Sequence, residues 1–254
     1  MVDTVGLLLG TAVLRPYVFV FFIVYLLLAA ADLGRRRAFI FTLFAWAVAF
    51  AAEFSSIHVG IPFGLYHYTG ETRGRELYLA GVPFMDSLSF TFLAYASFCL
   101  ARALLGRARG PAVVFLTGVF MMLLDVVIDP IAVRGDRWFL GRIFYYPEGG
   151  VYFGVPLSNF LGWMIVGWAI IGGYLAICGE SAEGRPDPGV GLYYGVLIFN
   201  LAVTWWIGEL GLLGMGILLH TAAYLSPRCL PRVRAALAGT WTTALSERGE
   251  ARRP

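Results

Sequence analysis

Five carboxylates interrupt stretches that are otherwise apolar: Glu53, Asp86, Asp125, Asp129 and Glu209. A charged group at the centre of a membrane helix costs at least about 2.5–3.5 kcal/mol, so acids there are uncommon and mark function by default. Asp125 and Asp129 are spaced i, i+4 and share one helix face. Burial and mutual repulsion favour a pair that keeps a proton near neutral pH, and a protonated carboxyl in an apolar pocket is a general acid. The same spacing also suits two ionised carboxylates around a divalent cation. Apolar Val126-Val127-Ile128 follow Asp125, and Glu53 lies a turn inside the end of its apolar run, so these acids are expected to be enclosed. Asp86 and Glu209 stand nearer their helix ends, where hydration at the interface is an equal alternative.

The other reactive residue types add less. His58, His67 and His220 include no pair with zinc spacing on a helix, and His220 reads as a packed side chain. Cys99, Cys178 and Cys229 lie far apart and form neither a disulfide framework nor a ligand cluster. No metal site is expected. Aromatic residues make up 16% of the chain, with Phe144-Tyr145-Tyr146 and Tyr152-Phe153 close together. They read either as an aromatic belt at the membrane interface or as the lining for a long polyene or isoprenoid, whose carbocations aromatic faces stabilise.

The elements that must position these groups are membrane helices. Hydrophobic residues are 59% of the 254 and charged residues 14%, against about 45–50% and 25% in soluble domains. The net charge of +3 is too small to imply nucleic acid. The expected architecture is an all-α polytopic bundle of about seven spans, each needing about 20 apolar residues. They fall near Leu14–Ala31, Ala38–Ser55, Phe84–Leu105, Ala112–Ile128, Leu157–Cys178, Val190–Ile207 and Leu210–Tyr224. The first is read as an uncleaved helix, since Asp3 precedes it and Arg35-Arg36-Arg37 follow it. Arginine clusters at 35–37, 102–109 and 228–234 share one side if the N-terminus is outside and the C-terminus inside. That arrangement leaves Arg134, Arg137 and Arg142 outside, in a loop that also holds Asp136 and Glu148.

All five acids then map to the outward ends of their spans. Two long loops rich in Gly, Pro and Tyr, about 56–83 and 129–156, lie at that same end and are expected to be functional. The segment Gly184–Gly189 reads as a plain connector. Residues 1–226 form one transmembrane catalytic domain, and 227–254 a basic cytoplasmic tail. In it Val233, Leu237, Trp241 and Leu245 recur every fourth residue, as in a helix lying on the membrane surface or in a frayed tail.

Between about residues 50 and 165 the chain carries Glu53-Phe54, Pro62-Phe63-Gly64-Leu65-Tyr66-His67-Tyr68, Gly81-Val82-Pro83, Leu124-Asp125-Val126-Val127-Ile128-Asp129-Pro130, and Tyr152-Phe153-Gly154-Val155-Pro156-Leu157-Ser158-Asn159-Phe160-Leu161-Gly162-Trp163. With these motifs it resembles the integral-membrane carotenoid 1,2-hydratases of the CruF type, also labelled carotenoid biosynthesis proteins. The last motif is the most specific. The resemblance implies addition of water to the terminal double bond of an acyclic ψ end group, giving a tertiary alcohol with no cofactor. It implies a lipid-soluble substrate such as lycopene, γ-carotene or a longer acyclic carotenoid, and other carotenoid enzymes as partners beside membrane lipid. The expected location is a bacterial or archaeal plasma membrane.

The residues fit that chemistry. Hydrating an unactivated trisubstituted alkene needs a strong acid held away from water, then a positioned water to capture the tertiary cation. Asp129 or Asp125 is the expected acid and Glu53 the group that orients water. Tyr66, Tyr68, Asp86, Tyr146, Tyr152, Asn159 and Trp163 are the expected substrate-binding residues. A carotenoid cyclase would begin with the same protonation. A membrane prenyltransferase would use Asp125 and Asp129 for magnesium diphosphate, but a second Asp-rich motif is missing. A small-molecule transporter would place its acids at the midplane and show inverted repeats.

Overall fold

A computed structural model describes residues 3–179 and 188–225. Among them are eight helices: α1 (Thr4–Leu14), α2 (Pro16–Leu33), α3 (Arg35–Val59), α4 (Phe84–Leu105), α5 (Pro111–Ala132), α6 (Leu157–Cys178), α7 (Gly189–Trp206) and α8 (Leu210–Tyr224). The tail stripe and most of the Gly184–Gly189 connector lie outside the described residues. Six helices, α2 to α7, are long and apolar enough to cross a membrane. The all-α membrane bundle expected from composition is therefore what the chain forms.

Four boundaries differ from the sequence reading. The first apolar run is two helices, broken where Arg15 precedes Pro16, a residue suited to the first turn of a new helix. At 15 residues, α8 spans about 22 Å, less than the roughly 30 Å of a bilayer core. The third helix runs on to Val59, which leaves Glu53 buried within it. Pro130 does not end α5, which continues to Ala132, so Asp129 sits inside a helix. Pro130 removes one helical hydrogen bond and disfavours the helix, which runs only two residues past it.

Most of α4 is buried, and it forms the centre of the bundle. Against it pack α2, α3, α5 and α7, while α6 closes on α3 and α5. The contact of α5 with α6 is close because both carry glycine there: a Cβ on Gly167 would lie 2.9 Å from the Gly118 Cα. Small residues are the usual means of bringing membrane helices together. At the end of the bundle remote from the acids, Arg102 of α4 reaches Asp32 of α2 at 2.6 Å, and Tyr95 donates to the same carboxylate at 3.1 Å. Both charges of that pair are buried. Sequence reading ended the first span at Ala31 and so missed Asp32 as an intramembrane acid.

The two long loops fold over the opposite end. Strand β1 (His67–Tyr68) of the first pairs antiparallel with β4 (Phe144–Tyr145) of the second. Thr69 extends the clasp, its amide donating to Ile143 O at 2.9 Å and its hydroxyl to Arg142 O at 2.6 Å. Strands β2 (Tyr78–Leu79) and β3 (Val82–Pro83) make a hairpin. Its two turn residues, Ala80 and Gly81, have φ of 45° and 89°, as a tight primed turn requires. Buried Arg15 ties α1 and α2 to this roof: it pairs with Glu76 at 3.3 Å and donates to Leu140 O. Thr11 of α1 accepts from the Leu77 amide at 2.8 Å.

Candidate active site

Beneath the roof lies a cavity of about 120 Å³. Glu53 of α3, Asp86 in the first turn of α4, Asp129 near the end of α5 and Asn159 in the first turn of α6 all line it. Antiparallel neighbours bring the end of one helix beside the start of the next, so four residues far apart in sequence meet at one end of the bundle. Tyr66, Tyr68, Tyr146 and Trp163 complete that wall. Eight of the ten residues singled out in the sequence thus face one space.

Asn159 organises the acid pair. Its single Nδ2 donates to Asp125 Oδ2 at 2.6 Å and to Asp129 Oδ2 at 2.7 Å. An amide nitrogen carries two hydrogens, one for each carboxyl. Asp125 and Asp129 are not equivalent, however. Asp125 is wholly buried and absent from the cavity wall, and its Oδ1 has no hydrogen-bond partner. Asp129 is the member that reaches the cavity.

Across the cavity, Tyr68 donates to Glu53 Oε1 at 3.5 Å, and the Tyr66 and Tyr68 hydroxyls are 3.3 Å apart. Glu53 Oε2 is buried without a hydrogen-bond partner, an unusual state for a carboxyl oxygen. Burial pushes the Tyr66 and Tyr68 phenols well above their ordinary range, and the nearby carboxyls of Glu53 and Asp86 push the same way. Both therefore remain neutral donors. Asp86, for which simple hydration was an equal alternative, stands in the cavity wall with Glu53.

Tyr152 does not line the cavity. Its ring packs edge-on against Phe153 and Phe160, with centroids at 4.9 and 5.2 Å. Burial, followed by the charge of Asp125, pushes its phenol up to about 12. Glu209 is also elsewhere: Arg134 donates to it at 3.0 Å and Arg137 pairs with the same carboxyl oxygen. These are two of the arginines that the topology left on the unexpected side, and each has an anionic partner there. His220 packs by its Nε2 at 2.9 Å from Leu123 O.

The rest of the wall is apolar and aromatic. Phe90 and Trp163 stack at 4.1 Å and 7°, with Phe63 beside both. Sequence reading missed Tyr17, Ser89 and Asn200, which also line the cavity. Asn200 carried a usable signal, being a polar amide inside an apolar span, but only ionisable groups were counted. Among the described residues no group of three or more His, Cys, Asp or Glu is placed to hold a metal ion.

Fold and site together define a helical membrane protein with a carboxyl-lined, largely apolar cavity closed off by its own loops. A family model described as carotenoid biosynthesis protein matches residues 4–223, and the chain belongs to that family. It is also similar to the bisanhydrobacterioruberin hydratase of Haloarcula japonica, with 31% identity over 168 residues, 64% of this chain and 54% of the relative. The chain thus spans about half the length of that relative. No solved structure matches.

Proposed function

We propose that the protein hydrates the terminal 1,2 double bond of an acyclic carotenoid end group. The observation that carries this reading is the cavity itself, which sets Asp129, Glu53 and Asp86 at one end of a space walled mainly by aromatic and aliphatic groups. A long hydrocarbon fits the apolar walls, and only its end meets acids. Membership of the carotenoid biosynthesis family and similarity to a hydratase support the same choice.

In this mechanism Asp129 is the acid. Its carboxyl proton passes to the less substituted carbon of the double bond, leaving a tertiary cation. Asn159 holds the Asp129 carboxyl in place, and Asp125 lies behind it as the second carboxyl on the same amide. Trp163, Phe90 and Tyr66 present ring faces and edges around the site, which favour a nearby cation. Glu53 orients a water through its unpartnered Oε2, Tyr68 fixing the other oxygen. The water oxygen bonds to the cationic carbon and its proton goes to Glu53. Proton transfer across the shared cavity from Glu53 to Asp129 restores both groups. The sum is alkene plus water giving a tertiary alcohol.

The test is expression in a lycopene-making bacterium, with mass analysis of extracted pigments. Gain of one water per reacted end is the expected result. A product of unchanged mass with a ring at its end would assign a cyclase, and untouched lycopene together with an untouched longer acyclic carotenoid would end the hydratase reading.

A further inference from the structure

A substrate this apolar must come from the bilayer, and the loop end of the cavity is barred. The β1–β4 clasp and the buried Arg15–Glu76 pair lock that roof. The cavity instead reaches inward along α4, from Asp86 to Leu93, about 10 Å at 1.5 Å per residue. There α2 and α7 form its side wall.

That wall is one aromatic layer thick. Phe199 of α7 stacks on Tyr17 of α2 at 5.1 Å and meets the edge of Phe21 at 5.6 Å. All three rings line the cavity, and all three are only partly buried. Beside them Val20 is 57% exposed and Ile198 65% exposed, facing outward from the same two helices. Between these rings the seam closes by ring packing, worth about 0.5–1.5 kcal/mol per pair. Rotating one ring exposes the cavity to lipid.

We propose that the seam between α2 and α7 is the substrate portal, with Phe199 the gate between Tyr17 and Phe21. A linear polyene threads past Phe199 until its end group reaches Asp129, and the remainder of the chain stays in the bilayer. This rests on the carotenoid reading of the cavity, and it adds how the substrate enters and which residues select a thin, acyclic chain.

Photo-crosslinking in membranes tests it. p-Benzoylphenylalanine at position 199 is compared with the same group at Phe115, an exposed residue of α5, in an Asp129→Asn background with lycopene loaded into the membrane. Crosslinking of pigment at 199 in clear excess over 115 is expected; equal labelling would mean simple partition into lipid and would overturn the portal. In otherwise wild-type protein, Phe199→Trp should raise KM by about tenfold with kcat nearly unchanged, the size of an overpacking penalty, while Phe199→Ala should lower it. Unchanged KM in both variants also overturns the portal. Hydration without preferred labelling at 199 refutes the portal alone, whereas preferred labelling without hydration refutes the reaction alone.

Discussion

Replacing Asn159 with leucine keeps the branching and the number of side-chain heavy atoms and removes one amide that holds two carboxyls. Its contacts with Asp125 and Asp129, at 2.6 and 2.7 Å, are short and fully buried. A hydrogen bond contributes about 0.5–1.5 kcal/mol to a neutral carboxyl such as protonated Asp129 and about 1.5–3 kcal/mol to a charged one, so losing both removes about 2–4.5 kcal/mol of orientation from the acid pair. If that orientation is needed in the transition state, each 1.36 kcal/mol is a factor of ten in rate, and turnover should fall by about 30- to 2,000-fold. The assay is pigment hydration in isolated membranes, normalised to inserted protein by fluorescence-detected gel filtration of a tagged chain. Asn159→Leu protein that inserts normally and turns over within about threefold of wild type would show that the amide does not set the acid geometry. Asp129 would then have to be oriented by its helix alone.

Asp129→Asn should lose at least about 10²-fold in turnover while still binding pigment, and Glu209→Gln, remote from the cavity, should keep most of its activity; the reverse order in pigment assays would move the site to α8. Arg102→Leu should destabilise the folded protein by about 3–5 kcal/mol by leaving Asp32 buried without its partner, read as a lower midpoint in thermal aggregation with activity per folded molecule retained. Tyr68→Phe should lower turnover without moving the alkaline limb of the pH profile, because a phenol raised this far stays protonated through the working range; a shifted limb would make Tyr68 a titrating participant. Chelation with EDTA should leave activity intact, and a loss restored by magnesium would favour prenyl transfer. A reporter fused at residue 110 should read cytoplasmic, since the arginines near α4 and α5 set that side; an external signal would invert the bundle.

The acids were legible because each breaks an apolar run, and because antiparallel spans make helix ends add up at one face. That reasoning brings Glu53, Asp86 and Asp129 together, and wrongly adds Glu209, whereas Asn159 was marked only by the motif that carries the family resemblance. It could not separate Asp125 from Asp129. Both lie on one helix face, and which of them meets the cavity depends on how α6 docks, a contact that i, i+4 spacing does not encode. The break at Arg15 was hidden because α1 and α2 are equally apolar, so hydropathy runs across it. Arg134 and Arg137 looked misplaced because their partner, Glu209, is distant in sequence. The β1–β4 clasp joins two loops that share no local pattern, and pairing across such a separation leaves no trace in either strand.

The shared amide at Asn159 also bears on how the chain enters the membrane. During synthesis α5 emerges before α6, and its two acids then have no Asn159 to hold them. Near the outward end of their span they cost less than a charge at a helix centre, about 2.5–3.5 kcal/mol, but both lack their amide partner in a span whose mean hydropathy is 2.3. Once α6 follows, Gly118 and Gly167 let the two helices close tightly enough for one side chain to satisfy both carboxyls. The acid pair is therefore completed only when α5 and α6 have closed as a hairpin.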